Sequence, residues 1–309
     1  MPSVIMSNMH QRTFDAFCLL FNAINWKVYI PAINEPNPFG YGQTNTPMRG
    51  EYTHITYQEF LDIKPDVVLC SCWEQLRGSY TMAKQTGSKF VVHAGNNNVP
   101  YNKTVSSFLT SNDTHTYNNC DIPNKLLFYL PPDYDFYYKQ PWQGDSHIVT
   151  SFIHHYSKYW KKSWIKYDNT RKLNQDITFI NFGVSGDDSY GLNLVSPYDV
   201  RRMLGVSRCL LHIKEQEGYG WSLLEAIASG IPVIAPKAFV VGKTCEMFLV
   251  EGKSVIFLHN DTKEFRKIFD NVELLSQIAE TGPKFIRELI NPSENYTKIK
   301  KFFEEVVLA

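Results

Sequence analysis

Two carboxylates, Glu217 and Glu225, lie on either side of a loop that contains Gly218 and Gly220. An apolar run predicts a buried strand before this loop, and a helix is predicted from about Leu223. Glycine lets the backbone approach a ligand closely, and the first turn of a helix presents N–H groups at the positive end of its dipole. These features predict a phosphate site. Carboxylates accept hydrogen bonds from vicinal hydroxyls, so a diphosphate between two polyols, which is a nucleotide sugar, fits the pattern.

Part of this pattern also has a purely structural explanation. Ser222 and Glu225 have the spacing of a capping box, in which the two side chains satisfy the first N–H groups of a helix. A Gly-x-Gly sequence is common in turns. The complete run of residues 217–236 is harder to explain by turn and helix formation alone, so we favour ligand binding.

The run 217–236 resembles the signature of retaining GT-B glycosyltransferases of the large sucrose-synthase-like family, glycosyl transferases group 1. The shared features are Glu-x7-Glu, Gly-aromatic-Gly and Leu-Glu-Ala-x-Ala-x-Gly-x-Pro-Val-Ile-Ala. The similarity covers residues 195–258, whereas the N-terminal half matches only in its general plan. It implies an α/β fold of the GT-B type, with two Rossmann-like domains facing across a cleft. It also implies a nucleotide-sugar co-substrate such as a UDP- or GDP-sugar, with no metal and no other cofactor.

The resemblance assigns roles to individual residues. Glu217 corresponds to the carboxylate at the donor sugar, and Glu225 to the carboxylate that binds the nucleotide ribose. His93 follows a strand of the N-terminal half and corresponds to a histidine that faces the donor sugar, although a histidine at a strand end is often structural. The resemblance therefore makes Glu217 and His93 the catalytic residues. The diphosphate would be bound by the loop and first helical turn, namely Gly218, Tyr219, Gly220, Ser222 and Leu223.

Cations for the diphosphate are less clearly marked. The family usually places a basic pair after the first strand of the second domain, in a Gly-Arg…Lys-Gly context. Here the corresponding stretch starts at His154 and contains Lys158, Lys161 and Lys162, so each of these lysines is a candidate.

Short apolar strands alternate with amphipathic helices along the chain, which predicts parallel sheets covered by helices. We expect an N-terminal acceptor domain at 1–140, a donor domain at 146–290, and a C-terminal helix at 291–309 that packs back on the first domain. Ligands bind beyond the carboxyl ends of parallel strands. The polar residues expected there on the acceptor side are Asn8, His10, Asn96 and Asn97.

The composition narrows the functional class. The chain has 309 residues, 43% hydrophobic and 20% charged, with 31 Lys+Arg balancing 31 Asp+Glu. This is a globular composition without an overall attraction to polyanions. No apolar run is long enough for a membrane span and no signal peptide is recognisable, so we expect a cytoplasmic protein, in the host cytoplasm if it is viral. Asp133 and Asp135 form an Asp-x-Asp sequence, but its context after two prolines argues against a metal site.

The acceptor remains open at this point. A saccharide or small molecule is the first expectation. The alternative is a phage or viral enzyme that glycosylates 5-hydroxymethylpyrimidine bases in DNA, because residues 156–172 carry six cations interleaved with aromatic residues. A helix with a buried aromatic face would explain that segment equally. A second alternative is a nucleotide-sugar-binding protein without catalysis. A Rossmann oxidoreductase is disfavoured because no Gly-x-Gly-x-x-Gly follows the first strand.

Overall fold

The computed structural model divides the chain into two compact units. Unit 1 comprises Met1–Pro131 together with Ile290–Ala309, and unit 2 comprises Pro132–Leu289. The residues that the structure describes are 1–7, 9, 11–36, 39–40, 49–71, 75–95, 106–183, 191–192, 196–259 and 263–309.

Unit 1 is built on a seven-stranded sheet in which every pair of neighbours is parallel, in the order β3-β2-β1-β4-β5-β6-β7. Strand β4 is buried along its whole length, as expected for a parallel sheet covered on both faces. The strands are β1 (Ser3–Ser7), β2 (Lys27–Pro31), β3 (Thr53–Ile55), β4 (Val67–Cys70), β5 (Lys89–Ala94), β6 (Phe108–Ser111) and β7 (Asn124–Leu127). The helices between them are α1 (Gln11–Ala23), α2 (Tyr57–Ile63), α3 (Leu76–Thr86) and α4 (Thr114–Asn119).

Unit 2 contains a six-stranded parallel sheet in the order β10-β9-β8-β11-β12-β13. Its strands are β8 (Ile148–Ser151), β9 (Thr178–Phe182), β10 (Gly191–Leu192), β11 (Cys209–Leu211), β12 (Val233–Pro236) and β13 (Val255–Leu258). Its helices are α5 (Tyr156–Tyr159), α6 (Lys161–Leu173), α7 (Pro197–Val206), α8 (Trp221–Ala228), α9 (Lys237–Val240), α10 (Glu264–Phe269) and α11 (Val272–Leu289), with a 3-10 helix at Thr244–Phe248. In both sheets the chain runs outward from one central strand in one direction and then in the other, which is the Rossmann-type order.

The last helix, α12 (Pro292–Leu308), belongs to unit 1 although it follows unit 2 in the sequence. The ring of Phe303 lies 4.9 Å from that of Phe21 and 5.7 Å from that of Trp26, measured between centroids. Unit 1 is therefore assembled from two separate parts of the chain.

The α/β class and the parallel sheets confirm the prediction from the alternating pattern. The short elements that were not predicted are β3, β6, α4, β10, α9 and the 3-10 helix. Strand β3 has three residues at the end of a stretch rich in Pro, Gly and Asn, and β10 has two, so neither offers a readable period. No helix in the described part of the chain combines the length and the apolar character that crossing a membrane requires.

Candidate active site

The most informative region of unit 2 lies where the strand order of its sheet reverses. Strands β8 and β11 are neighbours there, and their connections run outward in opposite directions. Ligands of open α/β sheets bind beyond the carboxyl ends of the strands at such a reversal. The segment after β8 is 152–155, and the segment after β11 is 212–220, which contains Glu217. The topology thus brings the predicted diphosphate loop to the expected edge.

The segment after β8 is rigidly held. The side-chain amide of Asn181 donates to Ile153 O at 3.0 Å, and its Oδ1 accepts the Ile153 N–H at 3.1 Å. Gly183 lies so close that a Cβ there would be 2.8 Å from Ile153 O. His155 then adopts the left-handed conformation, with φ 50°, immediately before α5. A non-glycine residue in this conformation is strained, and the surrounding contacts must maintain it.

Helices α5 and α6 hold the segment after β11. The hydroxyl of Tyr156 donates to Ile213 O at 2.6 Å, and the N–H of Glu215 donates to Ser163 Oγ at 2.9 Å. Both Tyr156 and Ser163 are buried. The backbone that leads to Glu217 is therefore fixed by two hydrogen bonds from neighbouring helices.

The carboxylate of Glu217 is surrounded by donors. Its Oε2 lies 2.9 Å from Nε2 of His212 and 3.2 Å from Nζ of Lys214. Its Oε1 accepts the Gly218 N–H at 3.0 Å and lies 3.3 Å from the same Nζ. Burial raises the pKa of Cys245, and the charge of the Glu217 carboxylate adds to this effect. Glu217 is thus a buried anion supported by its own loop.

Burial opposes the ionisation of Glu217, because the side chain is only 12% exposed. The close contact with His212 and the positive charge of Lys214 outweigh that effect and lower the pKa of Glu217 to about 2. Glu217 is therefore ionised near neutral pH. It can accept hydrogen bonds from hydroxyls and stabilise positive charge.

His212 and Lys214 were not singled out from the sequence. His212 is 1% exposed at the end of β11, and its N–H donates to Ile234 O at 2.8 Å. Lys214 is half-buried, and its Nζ lies 5.1 Å from the centre of the Trp160 ring. The available signal was position in the sequence, since both residues lie on the short stretch between the buried strand and the motif carboxylate.

Helix α8 begins at Trp221, two residues earlier than predicted, with Gly220 as its N-cap. Gly220 has φ 71°, and a Cβ there would be 2.9 Å from Leu223 Cδ1 and 3.2 Å from Cys245 Cβ. The carbonyl of Gly220 accepts the N–H groups of Leu223 and Leu224. The N–H groups of Trp221 and Ser222 consequently have no partner within the helix, which leaves them available to an anion.

The capping box that the sequence allowed does not form, because no side chain caps this helix. Ser222 is in the first turn instead of at the N-cap, so the structural explanation for the Ser222–Glu225 pair is wrong. Glu225 is 3% exposed in the second turn of α8. Tyr219 is buried against Trp221 and Phe248, with ring centroids 5.2 and 5.8 Å away. Two of the amides predicted to bind diphosphate, those of Gly218 and Leu223, already donate within the protein.

The predicted lysines lie on the exposed side of α5 and α6. Lys158, Lys161 and Lys162 are all exposed, and Lys158 Nζ lies 5.1 Å from the Tyr159 ring centre. Since Ser163 contacts Glu215, the turn with Lys161 and Lys162 is close to the segment after β11. The opposite face is aromatic core. Tyr156, Trp164 and Tyr167 pack against one another there, and among the described aromatic residues of 156–172 only Tyr159, at 58%, is exposed.

In unit 1, His93 is part of the core. It is 1% exposed within β5, its Nδ1 lies 3.1 Å from Thr110 Oγ1, and its ring packs edge-on against Phe17 at 4.9 Å. Burial lowers the pKa of His93 to about 3, so its imidazole is uncharged near neutral pH. The other predicted residues of this unit, Asn8, His10, Asn96 and Asn97, lie outside the described residues.

The Asp-x-Asp sequence forms a turn. Asp133 Oδ1 accepts the N–H groups of Asp135 and Phe136, both at 3.0 Å, and Tyr134 donates its hydroxyl to Ile286 O. Within the described ranges no group of three His, Cys, Asp or Glu side chains is arranged to hold a metal ion.

The sequence matches no protein-family model and no curated protein. Solved structures are similar over the whole chain. HepE of Anabaena in complex with UDP-glucose has a TM-score of 0.70 at 13% identity, covering 99% of this chain and 100% of that one. Sucrose-phosphate synthase from Thermosynechococcus elongatus has a TM-score of 0.68 at 9% identity, covering 99% of each chain. An alpha-glucosyltransferase in complex with UDP and a 13-mer DNA containing a HMU base has 0.64 at 10% identity, covering 100% of each.

The chain has the GT-B fold. At these identities the likeness establishes the fold, and it confirms what the resemblance of residues 217–236 implied about fold class.

Proposed function

We propose that this GT-B protein is a retaining glycosyltransferase that moves a sugar from a nucleotide sugar to an acceptor hydroxyl without a metal ion. The observation that carries the proposal is the pairing of an ionised, buried Glu217 with the start of α8 at the reversal of the sheet. A carboxylate for hydroxyls and N–H groups for a diphosphate lie side by side there. Retention is the outcome that the Glu-x7-Glu resemblance implies.

The proposed chemistry is positioning together with electrostatic stabilisation. Glu217 accepts hydrogen bonds from the donor sugar, and Glu225 from the ribose. The N–H groups of Trp221 and Ser222, the dipole of α8 and nearby lysines stabilise the charge that develops on the departing diphosphate. Two similar solved structures contain UDP or UDP-glucose, which supports a UDP-sugar as the donor to test first. His93 stays outside the residues on which the proposal depends, because it is buried in unit 1.

For the acceptor we favour a saccharide or small molecule. A hydroxymethylated base in DNA is the second candidate, because one similar structure holds DNA and because Lys158, Lys161 and Lys162 are exposed together. The scarcity of exposed aromatic side chains on that surface favours the first.

The test is a panel of UDP- and GDP-sugars read by thermal shift, followed by acceptor trials that include hydroxymethylcytosine DNA, each with and without EDTA. We expect one donor to stabilise the protein and to be turned over in EDTA. Glu217→Gln should abolish transfer and remain folded. Glu280→Gln, which changes an exposed carboxylate paired with Lys139, is the matched control and should retain full activity. Transfer at the parent rate by Glu217→Gln would refute the site.

A further inference from the structure

The carboxylate of Glu217 has almost no acceptor capacity left for a ligand. Gly218 N–H and Lys214 Nζ contact Oε1, and His212 Nε2 and Lys214 Nζ contact Oε2. An ionised carboxylate offers about four acceptor positions, so these four contacts occupy it. The proposed function requires the same oxygens to accept hydrogen bonds from sugar hydroxyls. One of the protein donors must therefore leave when a sugar arrives.

The three donors differ in their freedom to leave. The Gly218 N–H belongs to the backbone directly after Glu217, and the carbonyl of Gly218 accepts the Cys245 N–H at 3.1 Å. His212 is 1% exposed and anchored to β12 through its backbone. Lys214 has a flexible four-carbon side chain that is 21% exposed, and it contacts both oxygens at 3.2 to 3.3 Å instead of making one short bond. Lys214 is the donor that can leave at the lowest cost.

A nucleotide sugar supplies a new partner for the displaced ammonium. Its diphosphate is anionic, and the proposed diphosphate site at the start of α8 follows Glu217 by four residues. An ammonium that exchanges a carboxylate for a phosphate stays paired, which avoids leaving a half-buried charge uncompensated. The sequence pointed to Lys158, Lys161 and Lys162 for this role, but in the structure Lys214 is the lysine that contacts the motif carboxylate.

We propose that Lys214 is a placeholder: it covers the sugar-binding oxygens of Glu217 in the donor-free protein and moves to the diphosphate when a nucleotide sugar binds. This inference rests on the proposed function of the same site. Its consequence is coupling, because the arrival of the diphosphate uncovers the carboxylate that must hold the sugar. A free sugar without a nucleotide provides no anionic partner for the ammonium and does not uncover Glu217.

The test compares the affinities of UDP and UDP-glucose, measured by calorimetry, for the parent protein, Lys214→Met, Glu217→Gln and the double variant; GDP and GDP-glucose replace them if the parent binds those. A neutral amide at 217 holds the ammonium less strongly, so Glu217→Gln should bind the sugar-free diphosphate several-fold tighter than the parent does. Lys214→Met should bind it about tenfold more weakly. The double variant should bind the sugar-free diphosphate with the same affinity as Lys214→Met, because without the lysine the change at 217 frees no ammonium.

Lys84→Met is the matched control. Like Lys214, Lys84 has its Nζ over an aromatic ring, 4.6 Å from the centre of Tyr80, but it is exposed and lies in unit 1, and we expect parental affinity. Unchanged or weaker diphosphate binding by Glu217→Gln would refute the placeholder role of Lys214. Parental diphosphate affinity in Lys214→Met would refute it as well. If the methionine variant does not fold, the comparison of Glu217→Gln with the parent still decides. Failure of the parent to bind any nucleotide or nucleotide sugar would overturn the proposed function and the placeholder together, whereas donor turnover with unaffected variants overturns the placeholder alone.

Discussion

The Nε2 atom of His212 lies 2.9 Å from Oε2 of Glu217, and the two side chains are 1% and 12% exposed. Neither ring nitrogen of His212 has a hydrogen-bond partner of good geometry in the described part of the chain, so the Nε2 contact with the carboxylate is close but poorly aligned. A proton on Nε2 places the positive end of the N–H dipole beside the carboxylate and leaves Nδ1 as a buried acceptor, which costs less than burying an unpaired N–H. His212 is thereby a positioning residue for the motif carboxylate.

Removal of this donor should change the pH dependence of transfer. In His212→Phe the carboxylate loses its polar contact with the imidazole while its burial persists, so the pKa of Glu217 rises from about 2 and the acid limb of kcat moves to higher pH. His212→Gln can still donate a hydrogen bond and should lie between the parent and the phenylalanine variant. Rates measured from pH 4 to 8 provide the comparison. An acid limb that is the same in all three proteins would contradict the role of His212.

Two glycines with the same backbone conformation allow the cost of backbone strain to be distinguished from the cost of steric crowding. Gly220 and Gly242 have φ of 71° and 73°, but a Cβ on Gly242 would meet nothing within 4 Å. Gly242→Ala should lower the free energy of unfolding by roughly 1–2 kcal/mol, because alanine is strained in the left-handed conformation. Gly220→Ala adds the collision with Leu223 and Cys245, so it should cost more and should weaken donor binding by shifting the start of α8. Denaturant unfolding and donor titration of both variants test this, and equal losses in the two would argue against a crowded turn.

The buried His93 should make unit 1 sensitive to acid. Its folded pKa of about 3 lies below the ordinary 6.5, so the unfolded chain binds the extra proton, and the stability contributed above pH 6.5 is lost as the pH falls toward 3. By pH 5 this loss is about 2 kcal/mol for a fully buried group. His93→Gln should flatten the decline between pH 7 and 5. Thr110→Val removes the hydrogen bond but keeps the imidazole, so it should retain the decline. If stability falls equally steeply in His93→Gln and in the parent, groups other than His93 cause the decline.

The two acceptor classes differ in their dependence on salt. If DNA is the acceptor, each phosphate contact lowers the logarithm of affinity by roughly 0.7–0.9 per tenfold rise in salt. Replacing Lys161, Lys162 and Lys166 by Ala should then weaken DNA binding uniformly and flatten this slope. For a saccharide acceptor, the same triple variant should leave acceptor affinity unchanged. Donor affinity must be measured in parallel, because Lys161 and Lys162 are also candidates for binding the diphosphate. The exposed lysines of α12, Lys298, Lys300 and Lys301, form the matched control set.

The parts of the fold that the sequence predicted are those with a long, unambiguous pattern. The apolar strand Val67–Cys70 is buried on all four residues, and α1 at Gln11–Ala23 nearly coincides with residues 13–24, whose apolar residues have helical spacing. Strand β6, with Thr110 and Ser111 in the sheet interior, was missed because buried parallel strands are normally apolar throughout. The polar residues there are satisfied by contacts that the sequence does not show, such as Ser111 Oγ donating to Ala94 O.

In the site, the sequence motif identified Glu217 and the start of α8 but not the groups that tune them. His212 and Lys214 contact Glu217 only because their side chains point toward it. That direction depends on where β11 ends. Ser163 and Tyr156 hold the loop from more than fifty residues away, so no local pattern could reveal them. The left-handed Gly220 also moved the start of α8, because a glycine N-cap needs no capping side chain.

The discontinuity of unit 1 has a consequence for how the chain matures during synthesis. Unit 2 is one uninterrupted stretch, so its residues are all present once Leu289 has been translated. Unit 1 must wait for α12, since Phe303 closes the aromatic cluster formed by Phe21 and Trp26. Although it is encoded first, unit 1 is therefore completed last. A nascent chain arrested before residue 292 would leave those two rings open to chaperones and proteases while the second unit is already complete.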